Sequence, residues 1–163
     1  MKSRRPILSK LTIFLILILM IPIIESCTKN QREIVPYVLV DFTISLSDPI
    51  FLDLNAVGNH ALVNSSTNNL GIYAAGFDGN GIIIYRAQLD EFYAFDRTCP
   101  HDYALNGTSV AVELESGEIF ATCPTCGSKY ALPSFGTPSE GPSKYPLKIY
   151  RTSLFGEFVR VYN

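Results

Sequence analysis

The sequence has few of the residues from which metal sites and nucleic-acid interfaces are built. Only four cysteines and two histidines occur among its 163 residues. Lysine and arginine form no stripe that could neutralise phosphates, and no nucleotide-binding fingerprint is present, so nucleic acid is not expected as a partner. No stretch after residue 27 keeps a helical period over three turns, which argues against a mainly helical fold.

The first 26 residues have the organisation of an export signal. A short basic segment precedes an almost unbroken apolar run over residues 11–24, which is followed closely by Ser26 and Cys27. This arrangement resembles bacterial lipoprotein signal peptides, in which the cysteine receives a lipid and becomes the mature amino terminus. The resemblance implies a signal peptide over residues 1–26, lipidation at Cys27 and a tether over residues 27–35.

Two alternatives remain open for this segment. The apolar run could persist as a membrane anchor, although its 14 residues are few for a span of about 20. Arg4 and Arg5 also fit a twin-arginine export signal, whereas the very hydrophobic run is more typical of the general secretory route. In each case we expect the chain in the bacterial cell envelope, at the inner or outer membrane, facing the periplasm or the outside.

Removal of the leader leaves 137 residues, enough for one domain with a hydrophobic core, which we predict over residues 36–163. The leader holds four of the 13 basic residues and one of the 15 acidic residues. The remaining 9 basic and 14 acidic residues give a formal charge of about −5. This acidity offers no positive surface to nucleic acid.

The apolar residues of the predicted domain alternate with a period of two, which is typical of β-strands. We predict a half-buried strand over residues 38–46, a fully buried strand over 81–85, its partner over 91–95, a hairpin around Ser116 and Gly117, and closing strands over 147–149 and 158–161. Turn-forming residues interrupt this pattern about every 8 to 15 residues, which predicts an antiparallel all-β sandwich or barrel. His60 is predicted to lie in a solvated loop.

Two short motifs contain three of the four cysteines and one of the two histidines within 28 positions. Cys99 and His101 form a CxH motif, and Cys123 and Cys126 form a CxxC motif. Such loops can bring three sulfurs and one imidazole onto a single metal centre.

From about residue 81 to the end, the chain resembles a Rieske iron–sulfur domain. The resemblance depends on both motifs, on the strand that leads into Cys99, and on residues 141–150, which are similar to the family's proline loop and the strand after it. It implies an antiparallel β-sandwich with two hairpin ligand loops that hold a [2Fe–2S] cluster. By the same resemblance, hydroxyls at Ser128 and Tyr130 would donate hydrogen bonds to a cluster sulfide and to a ligand thiolate.

Cys126 departs from the family pattern, which has histidine at this position, and 21 residues separate His101 from Cys123, more than in the commonest members. The analogy would place Cys99 and Cys123 on one iron and His101 and Cys126 on the other. Because a thiolate adds one negative charge where the family has a neutral imidazole, we expect a lowered reduction potential. Two-histidine centres span about −150 to +300 mV and plant-type ferredoxins lie near about −400 mV, so we predict an intermediate value.

Other chemistries can also use this set of residues. Three cysteines and one histidine are a common structural zinc set. In an oxidising envelope, Cys123 and Cys126 could instead form a disulfide while Cys99 stays free. A thioredoxin-like role is not expected, because a strand rather than a helix is predicted after the CxxC motif.

We therefore predict a membrane-anchored protein that transfers one electron at a time and has no evident small-molecule substrate. Its partner would be another redox protein, and any catalysis would belong to that partner, since no mononuclear-iron domain follows. The alternative is a structural or adaptor lipoprotein of the same fold with a zinc ion, a disulfide or no metal.

Overall fold

Two antiparallel sheets contain the nine strands found in the computed structural model, which describes residues 33–114 and 117–163. The first sheet has the strand order β1-β9-β8-β4-β3-β2, and the second has the order β5-β6-β7. The strands are β1 (Asp41–Ser45), β2 (His60–Val63), β3 (Ile82–Arg86), β4 (Phe92–Asp96), β5 (Phe120–Thr122), β6 (Lys129–Ala131), β7 (Thr137–Glu140), β8 (Ile149–Phe155) and β9 (Phe158–Tyr162). The predicted all-β, antiparallel architecture is confirmed.

In the described ranges one short α-helix, α1 (Pro100–Asn106), follows Cys99, the cysteine of the CxH motif. The other helical turns among the described residues are 3₁₀ turns, at Pro49–Asn55, Thr67–Asn69, Gly71–Ala74, Phe77–Gly79 and Leu132–Ser134. None of the helices in the described ranges has the length and apolar character that a membrane crossing requires.

Strand β3 is buried on both of its faces. Ile82 and Ile84 point into one hydrophobic core, which β1, β9 and the turn Pro49–Asn55 also line. Ile83 and Tyr85 point into a second core, which includes residues of β5 and β6. Because side chains alternate along a strand, these two cores account for the continuous apolar run that predicted a fully buried strand here.

The second core contains two of the three cysteines found in the described ranges. Cys99 and Cys123 have no exposed surface, and Cys126 packs against the same core from a partly exposed position. The candidate metal ligands therefore lie at an edge of this core, where the loops that follow β4 and β5 meet.

Most predicted strands occur where expected. The segment up to Leu46 forms β1 with alternate residues buried, and β8 and β9 form a hairpin across Gly156, whose φ is +62°. Among the described residues around the predicted hairpin at 110–121, isolated bridges join Thr98 to Ala111 and Glu113 to Thr122 of β5. Ser116 lies outside the described residues.

His60 is not in a solvated loop, and this prediction was wrong. It begins β2 opposite Tyr85 of β3 and is half-buried, with its Nδ1 atom buried and without a hydrogen-bond partner in the described part of the chain. Burial lowers the pKa of its imidazole. This effect outweighs the increase in pKa caused by the backbone of Glu118 and by nearby carboxylates. Strand β2 has only four residues, too few for its alternation to be recognised.

The start of the described chain lies against the domain. Lys148 Nζ is 2.6 Å from a Glu33 carboxylate oxygen and also donates hydrogen bonds to the carbonyls of Val35 and Pro36. Val35, at the end of the predicted tether, is buried. The leader and Cys27 lie outside the described residues, so cleavage and lipidation stay predictions.

Candidate metal centre

The first ligand loop begins in an extended conformation and then winds into α1. Cys99 has extended backbone angles, and its N–H donates to the carbonyl of Val110. Pro100 takes the first helical position, where its fixed φ suits a helix and its missing N–H costs nothing. Gly107, with φ +72°, ends the helix in the left-handed conformation. The first ligand loop thus contains the short helix α1.

The second ligand loop is a tight turn between β5 and β6. The N–H of Gly127 donates to the carbonyl of Cys123, and the N–H of Cys123 donates to the carbonyl of Ser128. Gly127 has φ +71°, which a residue with a side chain adopts only at a cost. This turn brings Cys126 back toward Cys123 and toward the first loop.

The two loops bring three sulfurs and one carboxylate together. The Sγ atoms of Cys99 and Cys126 are 3.7 Å apart, and the thiol of Cys123 donates a hydrogen bond of 2.9 Å to Oδ2 of Asp102. The donor atoms of Cys99, Asp102, Cys123 and Cys126 all lie within 4.8 Å of one another. All three cysteines are free thiols. This is a group of soft sulfur donors and one hard oxygen donor, buried at the edge of the second core.

His101, the predicted fourth ligand, does not belong to this group of four donors. Its side chain is partly exposed, whereas that of the next residue, Asp102, is 5% exposed. Sequence reasoning missed Asp102. The available signals were an acidic residue directly after the CxH motif and the helix-initiating Pro100 before it.

The hydroxyls of Ser128 and Tyr130 lie beside the sulfurs. Tyr130 Oη is 3.2 Å from Cys99 Sγ, and Ser128 Oγ is 3.2 Å from Cys126 Sγ. Ser128 Oγ also accepts a hydrogen bond from the N–H of Ser143, which lies in the predicted proline loop. Both hydroxyls therefore lie near a cysteine sulfur, and hydrogen bonds from them to a cluster sulfide or a ligand thiolate stay predictions.

The proline loop packs tightly on the second ligand loop through Gly141. A Cβ atom at this position would lie 2.6 Å from Ser128 Cα and 2.9 Å from Ser128 N. Such distances do not occur between real Cβ atoms and backbone, so only glycine fits here. The contact fixes the backbone from which Ser128 and the CxxC turn project.

Burial favours the neutral form of the Cys99 and Cys123 thiols by raising their pKa values. It raises the pKa of Cys123 strongly, and the nearby carboxylate of Asp102 raises it further. Burial also raises the pKa of Cys99. For Asp102, burial by itself raises the pKa, but hydrogen bonding with the thiols of Cys123, Cys99 and Cys126 outweighs it and lowers the pKa below its usual value. Because metal ligands must be thiolates, binding of a metal here would release protons.

The donor set fits a metal–sulfur centre. Around one tetrahedral ion with metal–sulfur bonds of about 2.3 Å, two sulfurs are about 3.8 Å apart. The 3.7 Å between Cys99 and Cys126 therefore suits two sulfurs on the same metal. Three thiolates and one further donor also give the four protein ligands that a [2Fe–2S] cluster needs. The chemistry of these four donors is compatible with either iron or zinc.

An open groove of about 370 Å³ lies elsewhere on the domain. Its lining includes Asp90, Glu91, Phe135 and Ile149 but none of the cysteines. The groove is therefore not part of the candidate metal centre.

No protein-family model and no curated protein matches the chain. Among solved structures, a chain of a complex of reduced oxygenase and oxidized ferredoxin in carbazole 1,9a-dioxygenase is similar, with 22% identity and a TM-score of 0.44 over 72% of this chain and 95% of that one. The ferredoxin of carbazole 1,9a-dioxygenase from Nocardioides aromaticivorans IC177 has 16% identity and a TM-score of 0.44 over 77% and 98%. The ferredoxin of Sphingomonas yanoikuyae B1 has 16% identity and a TM-score of 0.37 over 51% and 74%.

Each of these three structures is of a ferredoxin or of a complex that contains one. With such low identities and TM-scores below 0.5, the likeness does not extend to cofactor, partner or activity.

Proposed function

We propose that this chain is a Rieske-type iron–sulfur protein that binds a [2Fe–2S] cluster between its two ligand loops and transfers one electron at a time. The observation that supports this proposal is the convergence of three free cysteines, from two loops of a β domain, on one buried site. A [2Fe–2S] cluster would supply one-electron redox chemistry there. Cys99, Cys123 and Cys126 would be thiolate ligands, and the first loop would supply the fourth ligand.

The surrounding residues suit a redox site that holds its charge away from water. Cys99, Cys123 and Tyr130 have no exposed surface, so this side of the site is dry. Tyr130 and Ser128 present hydroxyls to two of the sulfurs and can donate hydrogen bonds to thiolates. Such hydrogen bonds stabilise the more negative, reduced state and raise the potential. Cys126 is partly exposed and lies on the side from which an electron could enter.

The membrane location belongs to the same proposal and is supported by the sequence alone. The lipoprotein-like leader and Cys27 would attach the domain to a membrane of the bacterial cell envelope. A lipid-anchored electron carrier needs a redox protein as its partner. In one similar structure a ferredoxin is in complex with an oxygenase, which is an example of such a pair.

Zinc is the second candidate, because the spacing of Cys99 and Cys126 also suits two sulfurs on a single tetrahedral zinc ion. A zinc site would make the protein a structural or adaptor lipoprotein. Elemental analysis and the visible spectrum of the full chain, purified anaerobically in detergent, distinguish the two. Iron with acid-labile sulfide and a visible absorption that bleaches on reduction is the expected result. One zinc per chain without iron would overturn the electron-transfer proposal.

A further inference from the structure

We propose that Asp102, rather than His101, is the fourth protein ligand of this metal centre. The inference rests on the proposed metal–sulfur centre and concerns which residue completes it. Asp102 is 5% exposed, and its Oδ2 atom lies 2.9 Å from Cys123 Sγ. It is the only non-sulfur donor among the four donor atoms that lie within 4.8 Å of one another in the described ranges.

The helical turn explains why Asp102 takes this position. In an extended loop, residues at i and i+2 point to the same side, so a CxH motif would direct Cys99 and His101 toward one metal. Here the chain winds into α1 directly after Cys99. In a helix with about 3.6 residues per turn, residues at i and i+3 share a face, and the residue at i+2 points away. Cys99 caps the start of α1 and Asp102 is the third residue of the helix, so the helix directs Asp102 back toward the sulfurs and leaves His101 partly exposed.

Charge gives a second reason. No ion pair of Asp102 with a lysine or arginine occurs in the described part of the chain, and its carboxylate instead accepts the Cys123 hydrogen bond. When Cys123 binds a metal as a thiolate, it can no longer donate this hydrogen bond. Two buried anions would then lie side by side, which is costly unless a cation is shared between them. A metal bound by both residues removes that cost.

A ligand set of three cysteines and one aspartate would differ in charge from the set that the resemblance implied. Replacing a neutral imidazole with a carboxylate adds one negative charge beside the iron. Together with Cys126, this change gives four anionic ligands, as in all-cysteine ferredoxins. The centre would then have a potential nearer the all-cysteine range than the two-histidine range.

The direct test identifies the ligand atom without any substitution. The full chain is produced with ¹⁵N-labelled histidine, reconstituted anaerobically with iron and sulfide, reduced, and studied by pulsed electron paramagnetic resonance. We expect no strongly coupled histidine nitrogen. A strongly coupled nitrogen that disappears in His101→Ala but persists in His60→Ala would overturn the inference, because these are the only two histidines of the chain.

Matched substitutions give an independent measurement. Iron and sulfide per folded chain are compared for His101→Ala, Asp102→Ala and Asp102→Cys, with folding checked by circular dichroism. His101→Ala should load as the unmodified chain does, whereas Asp102→Ala should lose about tenfold or more in metal affinity. Asp102→Cys should restore loading, because it offers a thiolate ligand from nearly the same position. If His101→Ala loses iron and sulfide while Asp102→Ala binds them fully, histidine is the ligand and the inference is wrong.

The two proposals fail in different ways. If the unmodified chain loads iron and sulfide but shows a histidine ligand, only the Asp102 inference is wrong. If it takes up no iron and sulfide, the electron-transfer proposal is wrong, and Co²⁺ then tests Asp102 as a ligand of a single ion. A Co²⁺ spectrum that changes in Asp102→Ala and not in His101→Ala supports the inference, and an unchanged spectrum or no Co²⁺ binding overturns it.

Discussion

Tyr130 Oη lies 3.2 Å from Cys99 Sγ, and both residues are completely buried. Burial raises the pKa of the Tyr130 hydroxyl well above its usual range, so the phenol keeps its proton. Beside a Cys99 thiolate, the phenol can only donate. The pair therefore links the candidate metal centre to a fixed hydrogen-bond donor on β6.

Tyr130→Phe should lower the reduction potential, because it removes this donor and keeps the packing of the ring. A fall of roughly 60 mV is expected, the one-electron equivalent of about 1.4 kcal/mol and within reach of a hydrogen bond to a charged group. Protein-film voltammetry measures it. Tyr150→Phe is the control, since Tyr150 donates to Asp96 in the other core. Equal potentials in Tyr130→Phe and the unmodified chain would show that the hydroxyl does not act on the centre.

Cys126→His should preserve binding of the centre and raise its potential, because it removes one negative charge from the ligands. Cys126→Ala should lose the centre or bind it poorly. Voltammetry and visible absorption of both variants check this pair of outcomes. A potential of Cys126→His at or below that of the unmodified chain would mean that Cys126 does not bind the redox-active iron.

Gly141→Ala should destabilise the domain and disturb the CxxC turn, since its Cβ would meet Ser128 backbone at 2.6 Å. Gly58→Ala is the matched control, because Gly58 has a similar φ, +90° against +84°, with nothing within 4 Å of a Cβ. We expect Gly141→Ala to cost about 1–3 kcal/mol more than the control in the free energy of unfolding by urea. Equal losses in the free energy of unfolding for the two variants would mean that the loop accommodates the added Cβ atom without strain.

Cys27→Ala should abolish partition of the full chain into the detergent phase, because the lipid on this residue is proposed to supply the membrane affinity. Phase separation of cell extracts, followed by immunodetection, measures the partition. Cys126→Ser serves as a control for the loss of a thiol elsewhere. Unchanged partition of Cys27→Ala would indicate that the apolar run over residues 11–24 is retained as the anchor.

The fold was largely predictable because its strands have strong patterns. The alternation at residues 38–46 reflects a strand with one buried face, and the apolar run at β3 reflects a strand with two buried faces. Both patterns follow from the alternation of side chains along a strand. The short strand β2, and with it the burial of His60, was not predictable, because four residues show too little alternation to be distinguished from a loop.

The site was predictable in its sulfurs but not in its fourth donor. Cys99, Cys123 and Cys126 come together as the two motifs indicated. The exchange of His101 for Asp102 depends on whether the chain after Cys99 stays extended or winds into a helix. Seven residues are too few for a helical period to appear in the sequence. Pro100 and Gly107 fit the start and the end of a helix, but without such a period they do not predict one.

The most direct test of the account is the metal content of the full chain, purified anaerobically without added metal. The proposed electron transfer requires a [2Fe–2S] cluster on Cys99, Cys123 and Cys126. The account predicts close to two irons and two acid-labile sulfides per chain. One zinc, or no metal with any two of these cysteines joined in a disulfide, would contradict it.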